Sequence, residues 1–216
     1  MKSASQYIIV GGGGFARELI CWLQDCLRNE PQSSLLGYLD DTGASTMDGY
    51  RYGVPWLGRI DDFMPQPGQR LIVGIGEPAS KRIVVEKLKA KGGVFASLIH
   101  PSAVIASSAQ LGEGVVLCPH ALVSADARVG DFVTVNVLSS VGHDVAIGEF
   151  TTLSSHVDLT GWVKVGADAF FGSGARVLPE LSVGDKATIG AGAVVVRSVK
   201  PGQTVYAAPA KALQLE

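Results

Sequence analysis

The sequence predicts a Rossmann-like α/β domain over residues 1–98, an all-β solenoid of short strands over 99–200, and a tail over 201–216. Two observations carry this reading. A short apolar run, Tyr7-Ile8-Ile9-Val10, leads through four consecutive glycines into a helical pattern, and strands and helices then keep alternating. From Ile99 onward an apolar residue returns at every sixth position. Neither a helix nor a flat strand demands that period.

In the first part, Tyr7 to Val10 reads as a strand and Phe15 to Leu23 as a helix. Leu35 to Leu39 is a second strand, ending in Asp40-Asp41. Arg70 to Gly76 is a third, followed by a helix from about Ala79 to Lys91. Val94 to Ile99 is a final strand leading into the solenoid. This alternation argues for a parallel sheet. Pro31 and Pro65-Gln66-Pro67-Gly68 mark loops.

Gly11-x-Gly13-x-x-Ala16 fits the dinucleotide fingerprint, between a strand and a helix as that motif requires. Glycines let a backbone approach closely, and the helix N-terminus favours a phosphate. Asp40, at the end of the next strand, is placed to hold a ribose hydroxyl. On residues alone this reads as NAD binding. Against NAD stand the size of the domain, half of a two-lobed dinucleotide fold, and the lack of a hydride-transfer site. A glycine turn that only shapes the junction is the plainer alternative.

In the second part, the sixth-residue series runs Ile99, Ile105, Leu111, Leu117 and on to Val195, and only Phe171 is not aliphatic. The next position is often Gly, as at Gly112, Gly130, Gly142, Gly148, Gly166, Gly172, Gly184 and Gly190. These glycines are expected to take corner angles that a Cβ would oppose. The fifth position is small or branched. Each hexad is one short strand plus one corner, and three hexads close one turn. Residues eighteen apart therefore stack, at about 4.8 Å per coil. Each coil buries its face only against its neighbours.

The chain has 216 residues and a formal net charge of −2, enough for two modest domains. It has no basic stripe for nucleic acid and no like-charge block. Its apolar runs are too short for a membrane span, and MKSASQYIIVGGGG lacks the apolar core of a signal peptide. Cys21, Cys26 and Cys118 form no CxxC pair, and their odd number fits reduced thiols in the cytoplasm. Cys118 is an acyl-carrying thiol only in principle.

The coil pattern resembles the hexapeptide-repeat acyltransferases, whose fold is a left-handed parallel β-helix. With both halves in view, the chain resembles the sugar O- and N-acyltransferases of that group. These include sialic acid O-acetyltransferases and bacterial acetyltransferases acting on nucleotide-linked amino sugars. IIVGGGGFARE, YLDD, IVGIGE, HPSA, VGHDVAIGEF and the tail AAPAK carry the likeness. It implies an N-acetyltransferase of bacterial surface-glycan biosynthesis, with acetyl-CoA as acyl donor. It also implies a homotrimer with active sites between subunits.

The likeness puts the nucleotide of the sugar substrate, not NAD, on Gly12, Gly13, Gly14, Phe15, Asp40, Asp41 and Gly76. It puts the general base on His143 and its acidic partner on Asp144. A neutral imidazole takes a proton from an attacking amine at pH 7, and a carboxylate orients it. Gly161, one coil above His143, is expected to polarise the thioester carbonyl, with Ser173 and Ala191 further along the donor groove. The chain departs from relatives at Phe15, where many carry His, at Asp144, where several carry Glu, and at Ala207, where Gly is common.

His120 and His156 occupy one row two coils apart, roughly 9.6 Å, too far to share a metal with ligand bonds of about 2.1 Å. No metal is expected. His100 belongs to the junction segment. Three other readings remain open at this point: a sialic-acid-type O-acetyltransferase, a NAD-binding protein and a non-catalytic coil.

Overall fold

A computed structural model describes residues 5–43 and 47–211. The N-terminal domain is built on a parallel sheet of β1 (Gln6–Val10), β2 (Ser34–Leu39), β3 (Trp56–Gly58) and β4 (Gln69–Val73), in the order β3-β2-β1-β4. Helix α1 (Gly14–Leu27) follows β1, and α2 (Pro78–Ala90) follows β4. β1 is apolar at three successive residues, Ile8, Ile9 and Val10, because helices cover both faces of the sheet. Ile9, Tyr38 and Ile72 pack with Ala16, Leu19, Ile20 and Leu23 of α1. Ile8, Val10, Leu71 and Val73 pack with Val85 and Leu88 of α2. The spacing of the α1 residues is that of one helical face. The sequence reading misses β3, a three-residue edge strand whose first two residues are exposed.

The second part is a triangular prism of two-residue parallel strands. Its first face carries Leu98, Val116, Thr134, Thr152, Phe170, Thr188 and Thr204. The second face carries Val104, Leu122, Ser140, Asp158, Arg176 and Val194, and the third carries Gln110, Arg128, Ala146, Lys164 and Ser182. Register follows the eighteen-residue rule as far as Val195, and the last rung, Thr188 with Thr204, is shorter. Every sixth-place residue from Leu117 to Val195 is buried. Two polar fifth-place residues, Ser139 and Thr151, are buried as well. Each hydroxyl donates to a carbonyl, at 2.8 and 2.9 Å, and accepts an N–H of the next coil. The first-face ladder continues to Val205, into the segment read as the tail.

The unusual backbone angles do not fall on the second-place glycines, where the sequence pattern leads one to expect them. Left-handed φ falls instead on the fourth place of each hexad, from Gly114 to Gly192, and eleven of these residues are not glycine. The second-place glycines answer a different need, which is room. A Cβ on Gly148 would lie 2.5 Å from the Ala167 nitrogen, and one on Gly172 the same distance from the Ala191 nitrogen. The next coil's backbone passes where the side chain would stand.

The two parts share core. α2 lies on the corner between the third and first faces. There Phe95, Phe132 and Phe150 pack together, with Phe132–Phe150 stacked at 5.0 Å between centroids. Lys81 of α2 is 1% exposed, and its ammonium donates to the Phe132 carbonyl at 2.9 Å and to the hydroxyls of Thr134 (3.1 Å) and Thr152 (2.8 Å). Arg82 grips Asp168 with two bonds, at 2.8 and 2.9 Å, reaches Glu149 at 2.8 Å, and lies over the Phe150 ring. On the α1 side, Leu98, Val116 and Cys118 of the prism join the domain core. His100 ties the junction together, its Nδ1 against Ser102 Oγ at 2.7 Å and its Nε2 facing Asp25 of α1.

Candidate active site

His143 stands in the third place of its hexad, on the edge between the second and third faces, and half its side chain is exposed. Its Nδ1 lies 3.0 Å from Asp144 Oδ2. A carboxylate only accepts, so in the neutral ring this contact puts the proton on Nδ1 and leaves the lone pair on Nε2. Asp144 takes φ +60, which turns its side chain back beside the ring it follows.

Gly161 sits one coil above, as the eighteen-residue rule requires. A Cβ on it would lie 2.5 Å from Cε1 and Nε2 of His143. The imidazole therefore lies against a bare Cα. Trp162 flanks the same ring at right angles, with centroids 4.4 Å apart, and its backbone N–H donates to the His143 carbonyl at 3.0 Å. The N–H groups of Gly161, Ser173 and Ala191 donate to no other group among the described residues.

The chain does not bring all three of these together. Ser173 and Ala191 lie on the edge between the first and second faces, a different corner from His143 and Gly161. His120, Leu138 and His156 run up that same corner. Cys118 is fully buried, and burial, with some help from Glu18, pushes its thiol far above the ordinary range, which removes it as a nucleophile.

At the N-terminal domain, the ends of β2, β1 and β4 lie side by side and present Asp40-Asp41, Gly12-Gly13-Gly14 and Gly76. The fingerprint residues have separable roles. Gly11 turns the chain at φ +111, and Gly13 has nothing within 4 Å of a would-be Cβ. Ala16 packs so closely on Gly74 that a Cβ there would meet it at 2.8 Å. The open crevice lies at the β1/β4 switch point.

The helices that begin at this crevice differ. Glu77 caps α2 with its own carboxylate, accepting from Ala79 N (3.0 Å) and Ser80 N (2.6 Å). Partial burial works against its charge, yet these hydrogen bonds hold its carboxyl below the usual range. The N-terminus of α1 has no side-chain cap, and Gly13 and Gly14 are exposed. Arg17, which the sequence reading passes over, stands in its first turn, stacked on Tyr50 with its guanidinium 4.0 Å from the ring centre. Phe15, Trp22, Tyr50 and Tyr52 line a cavity of about 670 Å³ beside it. A cation in the first turn after a glycine run was the available signal. Asp40 accepts from the Thr42 N–H at 2.8 Å and from its hydroxyl, and Asp41 from the Asp61 N–H at 3.3 Å.

A family profile described as the PglD N-terminal domain matches residues 6–88. PerB from Caulobacter crescentus, solved with CoA and GDP-perosamine, is 33% identical, with a TM-score of 0.83 over 96% of each chain. The chain belongs to the hexapeptide-repeat, left-handed β-helix acyltransferase family. This makes it an enzyme, and the coil a left-handed one. The acetyltransferase domain of PglB from Neisseria gonorrhoeae FA1090, solved with acetyl coenzyme A, is 28% identical. It matches this acyltransferase with a TM-score of 0.85, over 98% of this chain and 100% of that one. WeeI from Acinetobacter baumannii AYE is 25% identical, with a TM-score of 0.84 over 97% of this chain and 100% of that one. Among curated protein sequences nothing matches significantly.

Proposed function

We propose that this acyltransferase moves the acetyl group of acetyl-CoA onto the amine of a nucleotide-linked amino sugar, in bacterial surface-glycan biosynthesis. One observation carries the chemistry: the Nε2 of His143, with Asp144 on its other nitrogen, faces the bare Cα of Gly161. The donor supplies an activated acyl thioester. Unengaged N–H groups on small corner residues suit its carbonyl and amide oxygens, and relatives are solved with CoA or acetyl-CoA. The crevice of the N-terminal domain suits a nucleotide diphosphate, on the uncapped end of α1 and Arg17, and PerB is solved with GDP-perosamine.

The amine nitrogen attacks the thioester carbon and a C–N bond forms. His143 takes the amine proton at Nε2, and Asp144 stabilises the imidazolium. The Gly161 N–H donates to the developing oxyanion. The C–S bond then breaks, and the proton leaves with the thiolate as free CoA.

The site needs more than one copy. The N-terminal domain sits over the first face, and His143 is on the opposite edge of the prism. Ser173 and Ala191 are on a third location, so the reading includes a homotrimer that brings these edges together. The reading also includes a cytoplasmic location; no described helix is long and apolar enough to cross a membrane.

The test is thiol release from acetyl-CoA with a panel of nucleotide-linked amino sugars. His143→Ala should lose turnover by about 10²- to 10⁴-fold while still binding acetyl-CoA. Near-normal turnover in that variant would overturn the assignment.

A further inference from the structure

Three ring-bearing residues other than histidine occupy left-handed corners: Phe132, Phe150 and Trp162. A bulky residue at positive φ is costly and calls for a reason. For the two phenylalanines the reason is plain. They are 2% and 5% exposed under α2, covered by Phe95, Lys89 and Arg82. Within a single copy Trp162 has no such cover among the described residues and is 52% exposed. Its one ring partner among the described residues is His143, at 4.4 Å and an interplanar angle of 88°.

We infer that Trp162 is a positioning residue for His143, an inference that rests on the reading of His143 as the base. A half-exposed imidazole with one hydrogen bond still has several rotamers open to it. The bond to Asp144 fixes one nitrogen, but the ring can swing about that contact. The bare Cα of Gly161 admits the ring on one side but has no side chain to hold it there. The indole, set at right angles to the imidazole, closes the remaining direction, and the backbone bond from Trp162 N–H to the His143 carbonyl fixes the distance from which it does so. The imidazole is held with Nε2 turned to the Gly161 corner.

The test compares Trp162→Ala and Trp162→Phe in the full-length enzyme, with melting temperature as a control on folding. Trp162→Ala should lower kcat about 3- to 10-fold, the range that a ring–ring contact of this kind carries, and leave the KM for acetyl-CoA unchanged. Trp162→Phe should recover most of the loss. In parallel, the His143 ring resonances in histidine-labelled protein should move and broaden in Trp162→Ala and return in Trp162→Phe. A raised acetyl-CoA KM with kcat retained would make Trp162 a donor-packing surface and overturn the inference. Unchanged kcat with unchanged ring resonances would do the same. Should His143→Ala keep its own turnover, the base assignment fails first, and the resonances alone still decide whether Trp162 holds the ring.

Discussion

The imidazole of His143 occupies the space that a side chain at Gly161 would need: a Cβ there would lie 2.5 Å from both Cε1 and Nε2. The nearest obstacle is a movable side chain, so Gly161→Ala can be accommodated by turning the ring away. Stability should change little, whereas the imidazole is displaced. A shift of about 1 Å in a reacting group costs on the order of 10²-fold, and that fall in kcat is the expectation for Gly161→Ala. Steady-state kinetics with a thermal melt checks it. Retained turnover would show that the ring has a second productive position.

The stacking of Gly161 on His143 was legible in the sequence, because a period of six converts position directly into height. The same arithmetic separates Ser173 from His143. It lies thirty residues on, not a whole number of coils, and so stands on another edge. The left-handed corners were not legible. Glycine marks both unusual φ and lack of room, and here the second use dominates, while His120, Phe132 and Trp162 take the unusual angles. Lys81 and Arg82 were also out of reach. Their partners across the junction lie 51 to 86 residues away, and nothing in a helical pattern announces them.

Lys81 gives the domain junction a pH dependence. Burial pushes its ammonium down to about 7, against the pull of Asp168 and Glu77. Below pH 7 both the folded and the unfolded chain carry the proton, and the cost of burying the charge is present in full. Between about 7 and the ordinary value of 10.5 the unfolded chain binds more proton, so stability rises with pH by a few kcal/mol in all. Lys81→Met removes this dependence. In denaturant titrations from pH 6.5 to 9.5, chosen to span part of that window, the stability of wild type relative to Lys81→Met should grow with pH. A constant difference would sink the account.

Arg82 joins α2 to two carboxylates of the prism and to the Phe150 ring. Its side chain is 26% exposed and that of Asp168 12%, so solvent screens the pair only in part. Arg82→Ala should cost about 2–3 kcal/mol, since it also leaves Asp168 without its fork. Arg82→Lys keeps the charge but not the two parallel bonds, and should recover less than half. Urea unfolding of the three proteins decides it; equal stability of Arg82→Lys and wild type would reduce the contact to charge alone.

Two helices begin at the crevice of the N-terminal domain, and only one of them offers its N-terminus. α2 is closed by Glu77, whose carboxylate already takes the Ala79 and Ser80 N–H groups. α1 is open, and Arg17 adds a cation in its first turn, steadied by Tyr50. A diphosphate should therefore depend on Arg17 and not on Glu77. Losing one charge-assisted contact corresponds to about tenfold in affinity, which is the expectation for Arg17→Ala with a nucleoside diphosphate. Glu77→Ala should instead cost about 1 kcal/mol of stability through its lost cap and leave that affinity within twofold. Titration calorimetry of both variants with GDP and UDP separates these effects. If Glu77→Ala loses as much affinity as Arg17→Ala, the phosphates are not held at α1 alone, because the only charge that Glu77 brings to the crevice is one that repels them.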